Sequence, residues 1–157
     1  MTTESVRAHF ASLGLALPII EHEQSTATVA LAAEAFGVAP GQIAKTLAFR
    51  LATGKAVLVV ASGDARVDNG KLKQALGKGK MLSHDEVTAL TGHPVGGVCP
   101  FGLATPMPVY LDVSLKAWPE LLPAAGGTRN GVRVTPEQMA HITQGQWVDV
   151  CKAAPAA

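Results

Sequence analysis

Lys45 is the residue whose placement most asks for a chemical reason. In Ala44-Lys45-Thr46-Leu47-Ala48-Phe49-Arg50-Leu51, strict alternation sets it on the same strand face as Leu47, Phe49 and Leu51. A lysine heading an apolar face has two readings. Its stem can pack on the core while the ammonium reaches water, or it can be a fixed point charge at the mouth of a pocket. The second reading suits a phosphate or a developing oxyanion. The segment Gly96-Gly97-Val98-Cys99-Pro100-Phe101-Gly102 is its natural partner. Glycines leave backbone N–H groups open to close approach, and proline stiffens the adjoining backbone, so such a loop can hold an oxyanion or an acyl group. Cys99 adds the option of a thiol nucleophile with His93 or His22 as its base. A second glycine loop, Gly126-Gly127-Thr128-Arg129-Asn130-Gly131, reads either as another pocket wall or as a polar hairpin.

Those residues need elements to carry them. Val6, Phe10 and Leu13 predict an opening helix stopped by Gly14, and residues 18–22 a short strand. A helix over Thr28 to Phe36 ends at Gly37. The strand from Lys45 turns at Thr53-Gly54 into a second strand, 55–61, whose two apolar faces make it central in a sheet. Asp68 or Asn69 caps a helix bearing Leu72, Ala75 and Leu76. Ser83 to Glu86 and Thr135 to Gln138 are capping boxes opening two further helices. Residues 109–113 and 147–150 read as strands, and 153–157 as a frayed tail after a domain over 1–152. Hairpin-linked and crossing elements together predict one α+β domain with a mixed sheet.

Composition narrows the function classes. The 157-residue chain is 48% apolar and 16% charged, which suits one globular domain with a substantial core. Aromatics at 4% leave little for stacking successive bases, and a net charge of +1 excludes indiscriminate coating of nucleic acid. A local basic run, Lys71, Lys73, Lys78 and Lys80, is either solvated surface or a phosphate contact. Cys99 and Cys151 form no CxxC pair, and the five histidines show no HxH or HxxxH spacing, so neither disulfide nor metal is expected. His84 and His141 read as surface residues. The chain shows no secretory or membrane-spanning segment, and the expected location is the cytoplasm.

Taken in order, Lys45-Thr46-Leu47 after Gly37-Val38, the stretch Gly63 to Gly77, Thr91-Gly92 and the Gly96–Gly102 loop resemble the YbaK-type prolyl-tRNA editing domain family, over about residues 4–150. The resemblance implies a strongly curved mixed sheet surrounded by helices. It also implies an aminoacyl-tRNA deacylase that edits in trans, hydrolysing mischarged tRNA, tRNA-Pro foremost, by water attack on the ester. No metal, cofactor or covalent protein nucleophile is implied. The partners would be the tRNA acceptor end and a prolyl-tRNA or other synthetase, with no membrane. By the same resemblance Lys45 holds the tRNA 3′ end near the ester, and Gly96, Gly97, Pro100 and Gly102 belong to the loop that shapes the acyl pocket. Thr46 and the Gly126-Gly127 loop lie at its edge. Ile20 and Val29 stand where relatives that act on cysteine carry aromatics, and Ala125 where they carry serine, favouring another small amino acid. A module that binds RNA ends or a partner without turnover, and a Cys99 hydrolase of small esters, are the alternatives.

Overall fold

The computed structural model describes residues 2–152, so the tail expected over 153–157 lies outside it. Helix α1 (Thr2–Ser12) leads into β1 (Ile19–Glu21) and α2 (Val29–Phe36). A 3₁₀ turn at Pro40–Gln42 feeds β2 (Ile43–Leu51), β3 (Ala56–Ser62) and β4 (Arg66–Val67), then α3 (Asn69–Leu76), β5 (Gly79–Met81) and α4 (His84–Thr91). The glycine loop precedes β6 (Val109–Asp112), a 3₁₀ turn at Val113–Ala117, β7 (Leu122–Pro123) and β8 (Asn130–Val132). The chain closes with α5 (Pro136–Thr143), β9 (Gln146–Val148) and β10 (Cys151–Lys152).

The helices start where their side chains can satisfy open N–H groups. Thr28 Oγ1 accepts from Leu31 N, Asp68 from Gly70 N and Lys71 N, and both Ser83–Glu86 and Thr135–Gln138 form reciprocal capping boxes. At the end of α2, Gly37 takes the left-handed conformation that a C-terminal stop requires.

The main sheet runs β5-β2-β3-β6-β9, with β7 pairing β2. The β2–β3 hairpin and the β2–β5 pair are antiparallel, while β3–β6, β6–β9 and β2–β7 are parallel. The sheet is therefore mixed and the domain α+β, with β3 central as its two apolar faces require. Two short antiparallel pairs, β1–β8 and β4–β10, flank it.

Each face of the sheet carries its own core. Ala44, Ala48, Leu58, Val60 and Leu111 pack with Val6 and Phe10 of α1 and Met139 and Ile142 of α5. On the other face Phe49, Leu51, Val57 and Val59 pack with Leu72 of α3, Val150 and Cys151. Alternation along β2 thus sends Lys45, Leu47, Phe49 and Leu51 to this second face. A third cluster, Ala32, Ala33, Ile43 and Leu122, fixes α2 over the start of β2 and β7. That packing brings Val29 and Phe36 beside the strand that bears Lys45.

Candidate active site

One cavity of about 230 Å³ opens beside β2. Its floor is the run Ala44 to Ala48, with Lys45 and Thr46 adjacent. Val29, Ala32 and Phe36 of α2 form one wall, and Leu122, Pro123 and Ala124 another. Val95, Gly96 and Val98 of the glycine loop close it, with His84 and Val87 of α4 at the rim. The lining is predominantly apolar, so it suits a small aliphatic group better than a charged one.

The Lys45 ammonium is held by backbone. Nζ donates to the carbonyls of Gly63 (3.4 Å) and Ala65, on the turn after β3. Among the described residues no carboxylate lies within ion-pair distance of it. An ammonium has three donors, so one remains for a ligand. Burial holds its pKa below that of a free lysine, while Cys151, once ionised, and Asp64 pull upward and Arg66 pulls downward. Beside it, Thr46 Oγ1 is buried and has no hydrogen-bond partner among the described residues.

The two glycine loops meet backbone to backbone. Gly126 N–H donates to Gly97 O at 3.1 Å, and a Cβ on Gly97 would fall 2.8 Å from the Gly127 carbonyl. Gly96 has φ +87°, and a Cβ there would sit 2.8 Å from the Cβ of Ala27. Only glycine fits either position. Gly97 N–H is committed to Pro94 O (2.9 Å). The N–H groups of Gly96 and Val98 have no acceptor among the described residues, and both residues line the cavity.

Several residues singled out from the sequence stand away from the cavity. Ile20 is in β1, paired with Gly131. Ala125 is buried in the first core and its neighbour Ala124 lines the cavity instead. Gly126 and Gly127 support the loop from behind. Pro100 is buried, and Gly102 N–H donates to His9 Nδ1 at 2.9 Å, which anchors the loop's far end to α1.

Cys99 and His93 do approach each other, 3.6 Å between Sγ and Nε2. That nitrogen carries the proton, since it donates to Phe101 O at 2.6 Å, and so cannot take one from the thiol. Both side chains are fully buried, and burial pushes the Cys99 thiol up to about 12. The pair is a brace between the ends of the glycine loop. It has none of the features of a thiolate nucleophile.

Of the lysine run, Lys71 is tied to Asp149 (3.2 Å) and to Cys151 O (2.9 Å). Lys73 is exposed on α3. Lys78 and Lys80 rim a second groove with Arg50 and Glu86, which adjoins the cavity through Met81 and Leu82. Asn130 is the residue of the second glycine loop that lines the cavity, while sequence reasoning missed Ala124 and His84 as lining residues. The capping box placed His84 at the exposed start of α4, but only the fold brings that start to the cavity rim.

Residues 23–142 match the profile of the aminoacyl-tRNA editing domain, and the chain belongs to that family. It is 46% identical over 154 residues to YwhH of Bacillus subtilis (strain 168), an uncharacterized protein, covering 97% of this chain and 98% of that one. It is 30% identical to a provisionally named Cys-tRNA(Pro)/Cys-tRNA(Cys) deacylase, EbsC of Enterococcus faecalis (strain ATCC 700802 / V583), over 75% of this chain and 73% of that protein. A crystal structure provisionally described as a trans-editing enzyme for prolyl-tRNA synthetase superposes with a TM-score of 0.88 at 36% identity, covering 97% of this chain and 98% of that one. Among the described residues no helix is long and apolar enough to cross a membrane.

Proposed function

We propose that this protein is a trans-editing hydrolase that removes a small non-cognate amino acid from mischarged tRNA, tRNA-Pro being the first candidate. The observation that carries the reading is the meeting of Lys45, Thr46 and Gly96 on one small apolar cavity. Membership of the editing-domain family, the name of EbsC and the description of the superposing structure support it.

The chemistry comes from the groups present. The side chain of the attached amino acid enters the space between α2 and the Leu122–Ala124 segment. Lys45 offers its remaining N–H to the terminal ribose or phosphate, fixing the ester and turning orientation into rate. Water adds to the ester carbon, and the carbonyl oxygen becomes an oxyanion. The N–H groups of Gly96 and Val98 are the free donors for it, in place of Gly97, whose N–H is used within the loop. Such a donor is worth about 3 kcal/mol of transition-state stabilisation. Collapse expels the ribose hydroxyl, which takes up the proton that water brought. No thiol and no metal enters this sequence.

A synthetase separates side chains differing by one methylene by only about 1–3 kcal/mol, which is why a second, size-limited hydrolytic site is useful. Cavity size and apolar lining favour alanine and 2-aminobutyrate, with cysteine, serine and threonine as the other substrates to test. Lys78 and Lys80 beside the cavity are the proposed phosphate contacts of the acceptor end, with Lys73 farther along; Lys71 is already paired with Asp149 and Arg50 with Glu86.

The test is a deacylation screen on tRNA-Pro carrying proline, alanine, 2-aminobutyrate, cysteine, serine or threonine, with wild type and Lys45→Ala in parallel. Release of one or two small residues, lost in the variant and absent for proline, is expected. Full activity of Lys45→Ala would refute the assignment. Binding without turnover by wild type would turn the reading to a tRNA-end binding module.

A further inference from the structure

The two carbonyls that hold Lys45 belong to a turn with an internal scaffold of its own. Ala65 N–H donates to Ser62 O at 3.0 Å, closing the turn from Ser62 to Ala65. Ser62 is 1% exposed, and its hydroxyl proton is shared between Gly41 O (2.5 Å) and Asp64 Oδ1 (2.8 Å). Its N–H is in turn bonded to Ser114 Oγ (3.1 Å). Gly63 is pressed against the Pro40 and Ile43 carbonyls and lies where a Cβ would be 2.7 Å from Val29 Cγ1, part of the cavity wall. On its other side Asp64 meets Gly41, where a Cβ would be 2.7 Å from Oδ2. The turn is thus packed on its inner side against Pro40, Gly41, Ile43 and Val29, while Asp64, the one acid in it, faces outward and is exposed.

We infer that Asp64 is a positioning residue for Lys45: fixed by Ser62, it shapes the turn whose Gly63 and Ala65 carbonyls aim the ammonium, and supplies the negative charge that keeps it an ammonium. A half-buried cation with only carbonyl acceptors is favoured by such a charge nearby, because partial desolvation shifts it toward the neutral amine. The other ionisable groups facing Lys45 do not fill the role. Arg66 of β4 repels it, and Cys151 of β10, raised to about 12 chiefly by burial and next by Asp112, is a neutral thiol at physiological pH. Asp64 is left as the charge that supports Lys45 without forming an ion pair that would occupy its third donor.

The inference rests on Lys45 acting in hydrolysis, and its test separates the two. Lysine ¹³Cε shifts are followed against pH in wild type, Asp64→Asn and Asp64→Glu, with the Lys45 signal identified by its loss in Lys45→Arg. Asparagine keeps the acceptor for Ser62, so the fold is expected to persist while the Lys45 midpoint falls by about one pH unit. The alkaline limb of deacylation should move with it, giving up to a tenfold loss above the new midpoint. Asp64→Glu, which keeps the charge, should hold both. An unmoved midpoint in Asp64→Asn, or a Glu variant shifted as far as the Asn variant, overturns the inference. If Asp64→Asn does not fold, Ser62→Ala, which frees the carboxylate, must lower the midpoint, and an unchanged midpoint there overturns it equally. A shifted midpoint in a protein that hydrolyses no aminoacyl-tRNA would leave the Asp64 role standing and refute the hydrolase reading.

Discussion

Gly97→Ala tests whether the two glycine loops form one rigid wall. The new Cβ would lie 2.8, 2.8 and 2.9 Å from three backbone atoms of Gly127, where ordinary contact begins at 3.4 Å. No side-chain rotation relieves an overlap with backbone, so the loops must part by roughly half an ångström, an overpacking strain of about 1–3 kcal/mol. Parting also stretches the Gly126 N–H to Gly97 O bond, now 3.1 Å, at about 1 kcal/mol. The total of about 2–4 kcal/mol corresponds, for a chain of this size, to a fall in Tm of roughly 5–15 °C. The same displacement moves the Gly96 and Val98 N–H groups. A misplacement of ~1 Å can cost about a hundredfold in rate, so a loss of tenfold or more in deacylation is expected. Gly54→Ala is the control: its φ is +91° but nothing lies within 4 Å. It should cost about 1–2 kcal/mol of backbone strain and leave the rate alone. Thermal melting by circular dichroism and initial deacylation rates read both variants. A Gly97→Ala protein that melts within about 2 °C of wild type at unchanged rate would refute the packed-wall argument.

Individual side chains give three further outcomes. Thr46→Val removes a buried hydroxyl with no partner, so a gain of about 1–2 kcal/mol in urea unfolding is expected; a loss would show that Oγ1 is satisfied in solution. With both thiols raised to about 12, native protein should resist iodoacetamide at pH ~7.5 and retain activity, and both cysteines should react once urea unfolds it; rapid inactivation would revive a Cys99 nucleophile. Lys45 has a folded pKa depressed below 10.5, so between that value and 10.5 the unfolded chain binds more protons. Stability should therefore rise with pH through that window while deacylation, which needs the ammonium, falls; Lys45→Met should abolish the rising stability component, and its persistence would place the titration elsewhere.

The parts of the fold that were legible in the sequence are those whose signals are local. The capping side chains of α2, α3, α4 and α5 stand next to the N–H groups they satisfy, and the β2–β3 hairpin turns at a glycine with φ +91°. The short strands β4, β5, β7, β8 and β10 were not. Two or three residues carry no usable period, and each exists because a partner far along the chain supplies its hydrogen bonds. β7, for example, is two residues laid parallel to the start of β2.

The site divides the same way, and its lesson is geometric. Lys45 was visible because alternation within one strand exposes a charge on an apolar face. The cavity wall opposite was not, since Leu122 to Ala124 reach it only through the β2–β7 pairing, and His84 only through the docking of α4. Several segments named by the resemblance do meet at one cavity, yet assignment within a segment depends on which way each residue faces. Ala125 belongs to the core and Ala124 to the cavity; Gly97 N–H is spent inside the loop, while those of Gly96 and Val98 are open. In extended chain, a step of one residue exchanges the two sides completely. A motif shared with relatives therefore brings the chain to the cavity to within a residue or two, and only the hydrogen-bond accounting of the backbone tells which of those residues keeps an N–H open to a ligand.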